Sequence, residues 1–265
     1  MKYEKIALSQ TNPKVFLEVF AGDPIGGKIR DAILVIPGGG YSGVCSDREG
    51  EPIALAFLSL GIQAFVLHYT VGEAARFPQP LVEASQAVAW IRRNAAAYSV
   101  NPDRIFATGF SAGGHLCASL GTMYNDPGVL EKAGISSGEN KIAGMIPVYP
   151  VINSHSGTLY FVYGTHTPTE EQKKRWDIIS RVGPDTVPAY IIHTCSDQTV
   201  PVSNSLDLAN ALSSYRIPYE LHVYRDGVHG IALANEITDL NNPVFLVPAA
   251  SHWVVEAASW MKTTK

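Results

Sequence analysis

Apolar residues fall along the chain in short runs that alternate with longer stretches of helical spacing. "VFLEVF" (15–20) alternates as a half-buried strand does. "DAILVIPGG" (31–39) is a continuous apolar run ending in glycines, the form of a parallel strand covered on both faces. "EPIALAFLSLG" (51–61) predicts a helix closed by Gly61 at its C′ position, and "IQAFVLHY" (62–69) predicts the next buried strand. Between 80 and 98, Leu81, Ala84, Val88, Ile91, Ala95 and Tyr98 step by three and four, tracing one face of an amphipathic helix. A strand over 104–109 then meets an abrupt bend and a helix from about 112. Further strands are predicted at 142–152 and 187–197, and a last strand with its exit loop over 219–230, with helices from 201 and over roughly 251–262.

Strands alternating with helices imply an α/β fold with a mostly parallel central sheet and helices on both faces. Only 153–186 breaks the rhythm. Within it, Thr167-Pro168-Thr169-Glu170 has the form of a capping box with Pro at N1, so a helix is predicted to start there. The stretch reads as a small lid-like insertion in one domain spanning 1–265, not as a second domain. The 265 residues, 46% of them hydrophobic, suffice for a core of that size.

Charge narrows the partners. The formal net charge is −4, and no run of Lys or Arg suggests nucleic acid or a membrane surface, so a small-molecule partner is expected. Cys45, Cys117 and Cys195 lie far apart with no C-x-x-C pair, which indicates neither a disulfide framework nor a cysteine zinc site. No histidine pair has the H-E-x-x-H spacing, and no metal is expected. "MKYEKIALSQTNPKV" lacks the apolar region and cleavage site of a signal peptide, and no apolar run is long enough to span a bilayer. A cytoplasmic protein is expected.

Two glycine-rich stretches carry the candidate chemistry. The first, Gly38-Gly39-Gly40-Tyr41-Ser42-Gly43, fits the G-x-G-x-x-G pattern of dinucleotide-binding turns. That reading requires an Asp or Glu roughly 20 residues on, at the end of the next strand. Here that strand ends in His68-Tyr69. No Gly-Lys-Ser/Thr follows, so a phosphate loop is excluded as well, and no cofactor is expected. Glycines without side chains instead let backbone N–H groups approach a substrate closely.

The second stretch, "GFSAG" (109–113), is G-x-S-x-G between a predicted strand and a predicted helix. A nucleophile on so sharp a turn needs glycine two positions either side, here Gly109 and Gly113. The following helix directs its N-terminus toward Ser111 and favours negative charge there. A serine hydroxyl needs a base to take its proton, and the base needs an acid to hold its tautomer. For this turn the chain order is Ser, then Asp or Glu, then His. Asp197 follows the strand "AYIIHTCS" and His229 follows "LHVYRDGV", which places both at strand exits on the same sheet edge as Ser111. The rival acids fit less well. Asp226 lies three residues before His229, and Asp185 precedes its strand, at the wrong edge. Among the eight histidines, His68, His193 and His222 fall in strands and His115 on the helix after Ser111, where packing is the expected role. His155 and His166 lie in the insertion as solvated loop residues, and His252 begins the final helix. An oxyanion would be held by the backbone N–H of Ala112 and by the glycines at 38–40.

With Ser111, Asp197 and His229 placed, the chain resembles an α/β-hydrolase from about residue 30 onward. It is similar to compact bacterial esterases related to the hormone-sensitive lipase group, to acetylxylan and feruloyl esterase-like proteins, and to the prolyl-oligopeptidase catalytic domain. "SDQTVP" and "GVHG" match the acid and histidine loops of these families. Their oxyanion loop usually reads His-Gly-Gly-Gly, whereas this chain has Pro37-Gly38-Gly39-Gly40, a departure that bears on subfamily. The family pattern points to Gly39 and Gly40 as oxyanion donors beside Ala112. The resemblance implies a serine carboxylesterase. With no large N-terminal cap expected, it implies short acyl groups of the acetyl type on a carbohydrate or aryl alcohol. A peptidase or amidase would use the same three residues but needs an anchor for a peptide terminus, and none is identified. A non-catalytic binding protein of this fold would normally have lost part of the triad.

Overall fold

The apolar runs assemble into one eight-stranded sheet. The computed structural model describes residues 1–152 and 159–264. Its strands are β1 (Lys2–Ala7), β2 (Phe16–Ala21), β3 (Arg30–Ile36), β4 (Gln63–His68), β5 (Val100–Phe110), β6 (Met145–Val148), β7 (Ala189–Thr194) and β8 (Tyr219–Tyr224). They lie in the order β1-β2-β4-β3-β5-β6-β7-β8. β1 pairs antiparallel with β2, and β2 with β4, while every other pairing is parallel.

Parallel strands need crossovers, and the crossovers cover both faces, so β3 is apolar on both faces from Ala32 to Ile36. β3 shows how one run serves two cores. Ala32, Leu34 and Ile36 point into one cluster, and Ile33 and Val35 into the other. The first cluster is closed by the helices Gln79–Arg93, Ala112–Met123 and Ser203–Ser214, through Leu81, Val88, Leu116 and Leu208. The second is closed by Glu51–Ser59 and Trp253–Thr263, through Ile53, Phe57 and Trp253. Gly61, at φ +83°, ends the Glu51–Ser59 helix in the left-handed conformation expected of it. Trp253 is fully buried, and its indole N–H donates to the Ala232 carbonyl at 2.9 Å, tying down the chain beyond β8.

Several elements differ from expectation. β1 was not anticipated: its only partly buried side chains are Glu4 and Ile6, so as an edge strand it leaves little apolar signal. The expected strand over 142–152 is paired only at Met145–Val148. A seven-residue helix, Pro127–Ala133, is capped by Asp126 and ended by Gly134 at φ +65°. Residues 159–186 hold three short helices, Leu159–Tyr163, Glu170–Trp176 and Ile178–Arg181. The capping box in this segment starts two residues later than the sequence suggested. Thr169 Oγ1 accepts from the Gln172 N–H, and the Gln172 side chain returns to the Thr169 N–H at 2.9 Å. Gln172 supplies the reciprocal arm, and Pro168 therefore precedes the cap. Leu159, Val162, Trp176 and Ile178 join the main core, so the segment is anchored from below.

The helix Ala112–Met123 is buried at every residue. His115 Nδ1 on it is hydrogen-bonded to the Tyr41 hydroxyl, at 2.8 Å. Burial pushes the His115 imidazole down to about 3. An unfolded imidazole titrates near 6.5. Below that pH the unfolded chain takes up a proton that folded His115 refuses, so its contribution to stability falls as pH drops toward 3. The expected loss from this residue is about 3 kcal/mol by pH 4. Urea titrations at pH 7 and pH 4 check it: His115→Asn should lose clearly less stability over that interval than wild type. Equal losses would rule the assignment out.

Candidate active site

β5 ends at Phe110, and Ser111 turns the chain into the next helix at φ 53°, ψ −116°. A non-glycine residue in that region is strained and persists only where its surroundings hold it. Here the Ser111 N–H donates to the Val148 carbonyl at 3.1 Å. The Ser111 carbonyl accepts from His115 and Val151, at 3.0 and 3.2 Å. The flanking glycines are required by contact. A Cβ on Gly109 would stand 2.1 Å from the Gly113 carbonyl oxygen, and one on Gly113 would stand 2.1 Å from that of Ile36.

Asp197 follows β7 and His229 follows β8, so both reach Ser111 from the carboxyl edge of the sheet. The His229 Nδ1–H donates to Asp197 Oδ2 at 2.7 Å. The Ser111 hydroxyl lies 2.9 Å from His229 Nε2. A carboxylate only accepts, which puts the imidazole proton on Nδ1 and leaves Nε2 free to take one from serine. The other carboxylate oxygen, Asp197 Oδ1, accepts from the Thr199 and Val200 N–H groups, each at 2.9 Å. Burial alone would raise the Asp197 carboxyl. The His193 and His229 imidazoles and the Val200 N–H outweigh it and hold the group far below the usual carboxylate range.

The glycine loop lies against the nucleophile. A Cβ on Gly38 would come within 3.1 Å of Ser111 Cβ. Gly39 and Gly40 have φ +125° and +64°, and a Cβ on Gly39 would collide with the Gly43 carbonyl at 2.3 Å. The Gly39 carbonyl accepts from Ser42 and Gly43, which folds the loop back on itself. Among the described residues, the N–H groups of Gly39, Gly40 and Ala112 have no hydrogen-bond acceptor. The Gly38 N–H is already taken by the buried carboxylate of Glu49, at 2.8 Å.

The rivals lie elsewhere. Asp226 is exposed beside Arg225, and Asp185 is exposed before β7. His68 bonds Glu18, His222 stacks on Tyr190, and His166 stacks on Tyr160. His155 lies outside the described residues. His193 does more than pack: Nε2 donates to the Val200 carbonyl at 2.9 Å and stands 3.6 Å from Asp197. Glu49 and Tyr149 were not singled out in the sequence. The Tyr149 hydroxyl donates to Glu49 Oε1 at 2.9 Å and accepts from the Ala232 N–H at 3.1 Å. Its ring meets that of His229 edge-on, with centroids 5.1 Å apart.

Comparison with known proteins gives the family of the chain. The BD-FAE family matches residues 22–212. The chain belongs to that family. The matched stretch of this BD-FAE chain holds the glycine loop, Ser111 and Asp197, and it ends before His229. Endo-1,4-beta-xylanase B of Butyrivibrio fibrisolvens is 39% identical over 216 residues, 78% of this chain and 33% of that protein. The chain spans between a third and a half of the length of the curated relatives it matches first. Among solved structures, an α/β-hydrolase enzyme from a Medee basin deep-sea metagenome library superposes with TM-score 0.82 and 32% identity, covering 100% of this chain and 98% of that one. An acetyl ester-xyloside bifunctional hydrolase from Caldicellulosiruptor lactoaceticus gives TM-score 0.81 and 30% identity over 98% and 96% of the two chains. The expected α/β-hydrolase fold is met. No helix among the described residues is long and apolar enough to cross a membrane.

Proposed function

We propose that the chain is a serine carboxylesterase that hydrolyses short-chain acyl esters, with Ser111 as nucleophile, His229 as base and Asp197 as its orienting acid. The observation that carries this reading is the unbroken line from Ser111 Oγ through both ring nitrogens of His229 to Asp197 Oδ2, lying beside the glycine loop. His229 Nε2 takes the hydroxyl proton as Ser111 Oγ attacks the acyl carbon. Asp197 stabilises the imidazolium that results. The carbonyl oxygen gains charge and is met by the N–H groups of Ala112, Gly39 and Gly40. His229 returns the proton to the leaving alkoxide and the alcohol departs, leaving an acyl-serine. Water then attacks that ester with His229 again as base, releasing the carboxylic acid and restoring Ser111.

Acetyl groups on a carbohydrate or an aryl alcohol are the proposed substrates. The name of the Caldicellulosiruptor structure supports the acetyl part of this reading, since that protein is described as an acetyl ester hydrolase. A series of p-nitrophenyl esters from acetate to decanoate, run beside acetylated xylan, tests it. Acetate should give the highest kcat/KM of the series, and an organophosphate should label Ser111. No turnover of any ester would defeat the proposal, while a maximum at long chains would defeat only its acetyl part.

A further inference from the structure

The proposed chemistry makes no use of Glu49, yet this carboxylate is 2% exposed. Burial raises its carboxyl, an effect that Arg48 and its hydrogen-bond donors oppose. A buried carboxylate is costly, and an apolar side chain of similar size could fill the space without that cost. What the carboxylate adds is a place for two donors. Oε2 takes the Gly38 N–H at 2.8 Å, and Oε1 takes the Tyr149 hydroxyl at 2.9 Å. Gly38 immediately precedes the two glycines whose N–H groups lack acceptors among the described residues. Tyr149 passes the connection on, accepting from Ala232 three residues after His229 and packing its ring against the imidazole. Arg48, the preceding residue on the same short helix (Ser46–Glu49), donates to the Gly230 carbonyl at 3.0 Å. Adjacent side chains on one turn therefore hold both the glycine loop and the histidine loop, which leave the sheet at β3 and β8.

We infer that Glu49 is a positioning residue that, with Tyr149, sets the glycine N–H groups and His229 at a fixed separation across Ser111. The inference rests on the esterase reading for its kinetic consequence, though not for its structural one. Oxyanion donors matter most in the transition state, so a misplaced glycine loop lowers kcat and leaves KM nearly unchanged. Glutamine at 49 keeps an acceptor oxygen at only one of the two carboxylate positions, so either the Gly38 N–H or the Tyr149 O–H faces an NH₂ group instead.

The test uses the full chain as wild type, Glu49→Gln and Tyr149→Phe. It measures kcat and KM on p-nitrophenyl acetate and amide hydrogen exchange by mass spectrometry. Glu49→Gln should lower kcat by about 10- to 100-fold with KM within about threefold. Tyr149→Phe should lower kcat in the same sense by about 3- to 30-fold. In both variants exchange should quicken in segments 37–45 and 226–233 and stay at wild-type rates in β5 and β6. Values of kcat within twofold of wild type in both variants would overturn the inference, as would a rise in KM alone or faster exchange throughout the sheet. If wild type hydrolyses no ester, the esterase reading fails, and exchange in the two loops still decides the positioning role.

Discussion

Replacing Ser111 with alanine should lower kcat for p-nitrophenyl acetate by about 10⁵- to 10⁶-fold. In the proposed mechanism this hydroxyl forms the acyl bond, and among the described residues its one side-chain hydrogen bond is to His229 Nε2. Without it, His229 must attack the ester itself or activate a water that finds its own position above the acyl carbon. Residual turnover would come from the backbone N–H groups and substrate binding alone. The turn itself should survive. It is held by Ser111 backbone bonds to Val148, Val151 and His115 and by the lack of side chains at Gly109 and Gly113, none of which the substitution touches. Initial rates on titrated enzyme, with circular dichroism to show an unchanged fold, make the comparison. Retention of more than about 1% of wild-type kcat would remove Ser111 from the role of nucleophile, since loss of such a group costs far more.

The second large effect belongs to Asp197→Asn, expected to lower kcat/KM by about 10³- to 10⁴-fold. The reason lies in the orientation the loop imposes. Asp197 Oδ1 faces two N–H donors, from Thr199 and Val200, so the amide oxygen of asparagine must occupy that position. Its NH₂ group then points at His229 Nδ1, which must give up its proton and become an acceptor. The imidazole proton moves to Nε2, facing Ser111, and the serine has lost its base. Volume and packing are almost unchanged, so the denaturation midpoint should move far less than the rate. Kinetics over pH 6–9, with imidazole nitrogen chemical shifts to identify the tautomer, test both halves of the argument. A variant within tenfold of wild type, or one that keeps its proton on Nδ1, would contradict it.

The residues for these experiments could be chosen from the sequence because each sits where a local rule and a topological rule coincide. "GFSAG" demands its glycines for steric reasons, and Asp197 and His229 follow apolar runs that become β7 and β8. A parallel sheet then brings such exits to one edge. Glu49 shows where that reasoning stops. Within "SDREGEP" it reads as one acid among several on a solvated stretch. Its burial arises only when the β3 exit, Tyr149 and Ala232 meet around it, and no spacing in the sequence records that meeting. His193 is similar: strand register predicts its burial, but not its approach to Asp197 across a turn. β1 failed for a different reason, since an edge strand carrying Lys2, Glu4 and Lys5 has almost no apolar face to declare itself. The helix at Pro127–Ala133 did carry its signals, Asp126, Pro127 and Gly134, but it is too short for a periodic stripe to form.

The pinning of the chain after β8 by Trp253 has a temporal consequence. Chains emerge from synthesis amino end first. The serine turn and the glycine loop draw on residues up to Val151, whereas His229 depends on a loop secured through Ala232 by the last helix. A growing chain would thus hold its proposed nucleophile long before its proposed base. Hydrolysis during cell-free synthesis should therefore appear only after the Trp253–Thr263 helix has emerged, making activity a clock for that docking step.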